Sequence, residues 1–472
     1  MLRFLTLILA VMHLQGCFDS SALAPIDASE ELVVVTRNTP TTYFFEGDRA
    51  SGFDYALAKQ FARQHDMRLR VKVAFSLPEL FEMLEQGEAH IAAAGLSKST
   101  ERDAQFHPSL PYLQQQALVV YKSGLLRPHA LRDMVGRDLI VIAGSAHVES
   151  LAAMQSSLPE LTWREIHAAD SLELMQLVTD GKAELAIVDS IEFSIQQRLF
   201  PRVVAALELG EPAPLVWYLP GTPAGAKSKV LVDRFIKAAQ KSGDIAQLER
   251  LHFGRFMHAS RLGSLVFQRK VRDDLPVWQP LIETVATEYQ MDWKLLAAIS
   301  YQESHWDPVA RSRTGVRGMM MLTQATASEL GVDDRTDAAQ SLRGGARFLK
   351  DLHRRLPPDI EEPDRTSMAL AAYTIGMGHL EDARVLTERA GGDPHLWPDV
   401  RAHLPKLQNS SVYTTTRYGF AEGGQAVTYV DNIRHYEGIL KLQSMPDQRI
   451  SPPVEIHGLL PEHLRGASLP IL

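Results

Sequence analysis

The spacing of apolar residues changes near position 270, and the change divides the chain in two. From Glu31 to Gly254, short apolar runs such as Leu32–Thr36 and Leu185–Val188 alternate with stretches at helical spacing such as Phe53–Gln64. Alternation of this kind predicts α/β architecture with a mainly parallel sheet. Ser76 and Glu79 have capping-box spacing ahead of Leu80, Phe81 and Leu84, which marks a helix start. Pro78–Ala94 aligns with Leu172–Val188 when Gly87 is set on Gly181, so each copy reads as a helix closed by glycine and followed by a buried strand. Two lobes are therefore expected. The chain should return from the second lobe to the first near Glu211-Pro212, and one long helix, Lys227–Leu248, should complete the first lobe. Residues 255–270 show no clear period and read as a connector. Beyond them Leu275, Trp278, Leu281, Ile282, Val285 and Tyr289 form an amphipathic stripe. The later helices are punctuated at Gly331, Gly344-Gly345, Pro357-Pro358 and Gly391-Gly392.

A length of 472 residues is too great for one core and implies several domains. Hydrophobic content of 45% with 22% charged residues is that of a globular chain. A net charge of -8 argues against nucleic acid or anionic lipid as a general partner.

The N-terminus carries one arginine before the apolar run Phe4–Val11, too short to span a bilayer as a permanent helix, so residues 1–16 read as a signal peptide. The run ends in Leu14-Gln15-Gly16-Cys17, which resembles a bacterial lipobox, and Cys17 is the chain's sole cysteine. Lipidation at Cys17 would give stable anchoring. Phe18 in place of aspartate points, by the lipoprotein sorting rule, to the periplasmic face of the outer membrane. Residues 17–30 then form a tether, 31–254 the bilobed domain (lobe 1 about 31–118 plus 212–254, lobe 2 about 119–211), 271–444 a helical domain, and 445–472 a loosely ordered tail.

One carboxylate stands out. Glu303 ends the run Lys294–Glu303, whose other charge is Lys294, and it shares a helix face with Leu296 and Ser300. Desolvation there would raise its pKa and keep it protonated near neutrality, as a general acid for glycosidic cleavage requires. An ordinary helix-terminal glutamate is the alternative reading of that residue alone.

The surrounding residues resemble the lysozyme-like catalytic domain of the lytic transglycosylases. The match comprises Glu303, Ser304, Trp306 and Pro308, then Ser312, then Gly318 and Met320. Ala371–Tyr373 with Gly376 and Gly378 follow, and then Tyr429, Val430 and Ile433. The resemblance implies cleavage of the bond between N-acetylmuramic acid and N-acetylglucosamine in peptidoglycan, with one acid, Glu303, and a 1,6-anhydro product. It also implies that Ser312 orients the acetamido group, Tyr429 holds Glu303, and Ser304, Tyr373 and Met320 support or line the groove. Asp307 is expected to be a turn residue rather than a second catalytic acid. Met321 and Thr374 depart from the usual glutamine and asparagine. The methionine variant matches the membrane-bound lytic transglycosylase F branch, which also carries an N-terminal solute-binding domain.

Residues 31–254 resemble periplasmic solute-binding proteins of the amino-acid type, through Gly52-Phe53-Asp54, Gly95, Thr100-Glu101-Arg102 and Asp189. The resemblance implies that Arg102 grips a ligand carboxylate and Asp189 its amine. Both fall at strand C-terminal ends, where open α/β sheets place ligands. Gly144-Ser145 would add backbone donors, and a muropeptide, cell-wall peptide or amino acid is the expected ligand class. Ala56 and the longer Phe106–Tyr112 segment depart from that family's pattern. No cofactor motif or metal-ligand spacing is present in the sequence. The fold class expected is thus multidomain, a bilobed α/β periplasmic-binding-protein-like domain followed by a mainly α lysozyme-like domain. A hydrolytic muramidase and a non-enzymatic wall-sensing lipoprotein are the alternatives.

Overall fold

The structure is a computed structural model, and it describes residues 23–46, 49–167, 170–253, 261–312 and 315–444. The signal peptide, Cys17 and the tail 445–472 lie outside the described residues.

The first half is built on eleven strands: β1 (Glu31–Arg37), β2 (Phe44–Glu46), β3 (Arg49–Ser51), β4 (Arg68–Ala74), β5 (Ile91–Ser97), β6 (His107–Pro108), β7 (Leu113–Lys122), β8 (Leu139–Ile142), β9 (Arg164–Ile166), β10 (Leu185–Asp189) and β11 (Val203–Leu219). Nine of them form one sheet in the order β4-β1-β5-β11-β7-β10-β8-β9, with β6 paired to β11. β4, β1 and β5 are mutually parallel on one side and β10, β8 and β9 on the other. Antiparallel β7 and β11 join the two parallel groups. The result is two parallel lobes that share a pair of long strands.

Eight helices cover this sheet: α1 (Phe53–Gln64), α2 (Leu77–Glu85), α3 (Thr100–Asp103), α4 (Ala146–Gln155), α5 (Ser171–Asp180), α6 (Ser190–Gln196), α7 (Pro223–Ser242) and α8 (Asp244–His252). The internal repeat is α2–β5 in one lobe and α5–β10 in the other. Gly87 at φ 72° and Gly181 at φ 73° end the two helices in the left-handed conformation that glycine adopts without steric cost. Ser76 caps α2 by accepting from the Glu79 amide at 3.2 Å. The single helix expected over 227–248 is instead α7 and α8, separated by Gly243 at φ 86°. The return to lobe 1 also differs: Glu211-Pro212 lies within continuous β11, at a register shift between Leu209 and Ala213.

The second half is helical: α9 (Arg261–Asp273), α10 (Leu275–Glu288), α11 (Trp293–Ser304), α12 (Gln324–Leu330), α13 (Ala338–Arg355), α14 (Asp364–Ile375), α15 (Met377–Arg389), α16 (Trp397–His403), α17 (Ser410–Tyr413) and α18 (Gly423–Gln443). Part of the expected connector is therefore α9, whose Phe267 is fully buried in the core of this half. Gly344-Gly345 does not interrupt a helix either. Both lie inside α13, and a Cβ on Gly345 would meet Met320 Cε at 2.4 Å, so the glycine admits the methionine. Lobe 2 reaches this half through the loop after α6. The Gln268 amide donates to the carbonyls of Arg198 and Leu199 at 2.8 Å each. Leu199 packs against a core shared by the two lobes, the core of the helical half, and a small cluster of Ile195 and Leu442 between them.

Candidate active site

Glu303 is held at the last turn of α11, whose face Leu295–Tyr301 is buried. Asp292 begins this helix by accepting from the Lys294 amide at 2.9 Å. Two consecutive non-glycine residues end it in the left-handed region, His305 at φ 55° and Trp306 at φ 63°. The Trp306 indole donates to the Ala297 carbonyl at 2.9 Å, and its ring packs with Tyr301 and Phe267. This reversal turns the chain away at Glu303. Asp307 then accepts from the Val309 amide at 2.9 Å, as a turn residue does.

α18 crosses α11 and brings Tyr429 to Glu303, with the Tyr429 hydroxyl donating to Glu303 Oε1 at 2.5 Å. Tyr373, from α14, stacks on Tyr429 with ring centroids 6.3 Å apart and an interplanar angle of 12°. Burial pushes the Glu303 carboxyl up to about 7, and the Tyr429 hydrogen bond partly opposes that rise. Burial first, and the neighbouring Glu303 charge second, hold both tyrosines well above their usual range. They are donors here, not bases.

In the loop that follows α11, Arg317 bridges both Arg311 and Leu322. Ser312 accepts from the Val316 amide at 3.2 Å. Ser304 donates to the Met319 carbonyl at 2.9 Å and so ties the loop to α11. Met320 is a correction to the expected groove lining. Its side chain has no exposure and fills the space opened by Gly345, while its carbonyl faces the Tyr373 hydroxyl at 3.4 Å. Met319 is buried likewise, and Met321, at φ 46°, is partly exposed.

A cleft of about 550 Å³ adjoins Tyr429 and is lined by Gln302, Thr374, Gln408, Glu422 and Asn432. Of these the sequence drew attention to Thr374 alone. Gln302 precedes Glu303, and Asn432 follows Tyr429 at i+3 on one helix face, which are the signals that would have found them.

Arg102 and Asp189, paired by resemblance, each have partners of their own at the lobe boundary. The Arg102 guanidinium donates to the Ser97 carbonyl at 3.3 Å and to the Gly144 carbonyl across the lobe boundary, and it stacks 4.6 Å above the Phe81 ring. Asp189 lies 3.1 Å from His147 Nε2. Asp189 and His147 line an interlobe cleft of about 330 Å³, together with Ser97, Thr100, Gln115 and Glu149. Thr41 donates to Glu192 across the same boundary at 3.2 Å. Asp54 is a framework residue: it is 2% exposed and accepts from the Gly95 amide, the Tyr112 hydroxyl and the Trp217 indole at 2.8, 2.8 and 3.2 Å.

Residues 32–255 match the model of bacterial extracellular solute-binding proteins, family 3, and residues 280–394 match the transglycosylase SLT domain. An ancestral arginine-binding protein bound to arginine has a TM-score of 0.44 over 48% of this chain and 99% of its own, at 20% identity. Membrane-bound lytic murein transglycosylase F of Ectopseudomonas mendocina is 41% identical over 441 residues, which is 92% of this chain and 90% of the relative. The protein of that name from Hahella chejuensis is 40% identical over 446 residues, covering 94% and 87%. That of Saccharophagus degradans is 39% identical over 430, covering 91% and 86%. Shared identity at this level along both halves shows that the chain belongs to the membrane-bound lytic murein transglycosylase F family.

Proposed function

We propose that this protein is a lytic transglycosylase that cleaves peptidoglycan between N-acetylmuramic acid and N-acetylglucosamine and releases 1,6-anhydromuramyl ends. The observation that carries the reading is the half-buried Glu303, bonded by Tyr429 and held near neutrality. Tyr429 occupies Oε1, so the acidic proton is available from the other oxygen. Glu303 gives that proton to the glycosidic oxygen as the bond to C1 breaks. The resulting carboxylate, stabilised by the Tyr429 donor, takes the proton of the muramic 6-hydroxyl as that oxygen bonds to C1. Attack from within the same sugar replaces water and needs no second protein carboxylate, because the substrate's acetamido group supports the cationic centre. Ser312 orients that acetamido group, Tyr373 backs Tyr429, and Ser304 sets the loop.

The binding half takes a small wall-derived ligand such as an amino acid, a peptide or a muropeptide in its interlobe cleft. Asp189 and Arg102 receive it once Arg102 exchanges the Gly144 carbonyl for a ligand carboxylate. The protein is membrane-associated in the periplasm, and Cys17 anchors it by lipid to the outer membrane. The domain limits are 31–254 and 271–444, with α9 joined to the second through the burial of Phe267. Mass spectrometry of soluble products from purified peptidoglycan tests the enzymatic reading. Anhydromuramyl products that vanish with Glu303→Gln support it, while products heavier by one water would make the enzyme a hydrolase. Incorporation of a fatty-acid label that is lost in Cys17→Ala tests the anchor.

A further inference from the structure

Between the two halves, away from Glu303, is a cavity of about 280 Å³. Its walls come from both sides: Gln247, Arg250 and Leu251 of α8 face Trp397, Pro398 and His435 of the helical half. The size is that of a monosaccharide or short peptide, near the lower end of roughly 300 Å³ for small-molecule sites.

The polar groups around it divide into spent and unspent. Arg401 is paired with Asp431 at 2.6 Å. Arg434 is used by Ser367, Pro363 and Glu437. Arg250, in contrast, is exposed and forms no ion pair among the described residues, and the Gln247 side chain is exposed beside it. His435 is 6% exposed, with Nε2 and the Ser264 hydroxyl 2.8 Å apart. Its Nδ1 is buried and has no partner among the described residues. A buried ring nitrogen left in this state is the exception in folded proteins, and an occupant of the cavity can supply the bond. Trp397 and Pro398 add an apolar face on which a pyranose ring or an aliphatic segment can lie.

We propose that this junction cavity is a second binding site, for a small molecule that joins a carboxylate, an amide and an apolar face. Arg250 takes the carboxylate through its planar fork, Gln247 the amide, and His435 Nδ1 one hydrogen bond, while the apolar face lies against Trp397. Two sources supply this chemistry, an N-acetylated sugar acid and a short peptide with a free carboxylate. Their relevance rests on the peptidoglycan reading above. The site is carried by its own geometry. Val430, Asp431 and His435 line it from α18, the helix that presents Tyr429 to Glu303 on another face.

The test is calorimetric titration of the full chain carrying Glu303→Gln, so that nothing is turned over. The probes are N-acetylmuramic acid, the dipeptide Ala-Glu, and N-acetylglucosamine, which lacks the carboxylate. The expected result is a saturable site for a carboxylated probe that persists when Arg102→Ala disables the interlobe cleft, at least tenfold tighter than for N-acetylglucosamine. Arg250→Ala and Trp397→Phe each weaken it at least tenfold, and Arg102→Ala, in the other cleft, leaves it within twofold. Binding of N-acetylmuramic acid alone identifies the sugar source, and binding of Ala-Glu alone the peptide source. Failure of both probes, or equal binding by Arg250→Ala with unchanged thermal unfolding, overturns the proposal. An unsubstituted chain that releases no anhydromuramyl product would overturn the catalytic reading and leave this result standing.

Discussion

Glu303 and Asp54 are both withdrawn carboxylates that accept a hydrogen bond from a tyrosine hydroxyl, and they do opposite things. Burial pushes Asp54 up to about 6 and Glu303 up to about 7. Asp54 is surrounded by three donors that join α1 to β5, β11 and Tyr112 just ahead of β7, so its lone pairs are committed to the framework. Glu303 has Tyr429 on one oxygen and a helix terminus turned aside by His305 and Trp306. A raised pKa therefore does not distinguish a catalytic carboxyl from a structural one. What distinguishes them is how many donors are already in place and whether a substrate atom can approach.

The two carboxyls should differ most in what their loss does. Glu303→Gln is expected to lower anhydromuramyl product release by about 10³-fold, within the range for removal of a general acid, with the melting temperature nearly unchanged. Asp54→Ala should show the reverse. Leaving three buried donors unsatisfied is expected to cost about 3 kcal/mol in denaturant unfolding of the binding half, while turnover per folded molecule stays within twofold. Met320→Ala should cost about 3 kcal/mol with KM unchanged, and Met320→Leu less than about 1.5 kcal/mol, because the residue is packed in the core and does not line the groove. Tyr429→Phe sharpens the contrast with the smallest effect, about tenfold in kcat.

The pH profile separates the two carboxyls further. Protonated Glu303 starts the reaction, so activity should fall as pH rises through about 7. The Tyr429 bond lowers the Glu303 pKa, so Tyr429→Phe should move that alkaline limb upward. Since the folded-state pKa of Glu303 lies above its ordinary value, the protonated form favours the folded state. Stability from this group is complete below about pH 4.5 and is lost as pH rises through about 7, and Glu303→Gln should remove that dependence in unfolding experiments.

Much of this was legible along the chain because it is local. Helical spacing put Glu303 on a face with Leu296, and the repeat anchored on Gly87 and Gly181 marks equivalent helix ends in the two lobes. The misreadings have local causes too. Three consecutive methionines carry no period, and the left-handed turn at Met321 sends Met320 inward. Gly344-Gly345 looks like punctuation, yet in α13 it makes room for that side chain. Gly243 was a readable helix break inside an otherwise continuous pattern. How Arg102 and Asp189 sit depends on how the two lobes meet, which no periodicity encodes, and the junction cavity assembles residues more than 100 positions apart.

Leu199 packs into three clusters at once, two of them belonging to different halves. A substitution there is felt by both halves together, so at this point the packing of each half constrains the other. Chimeras that exchange the binding half between relatives should then retain their folding yield only when the surface around Leu442 is transplanted with it. The heritable unit is larger than either family match suggests.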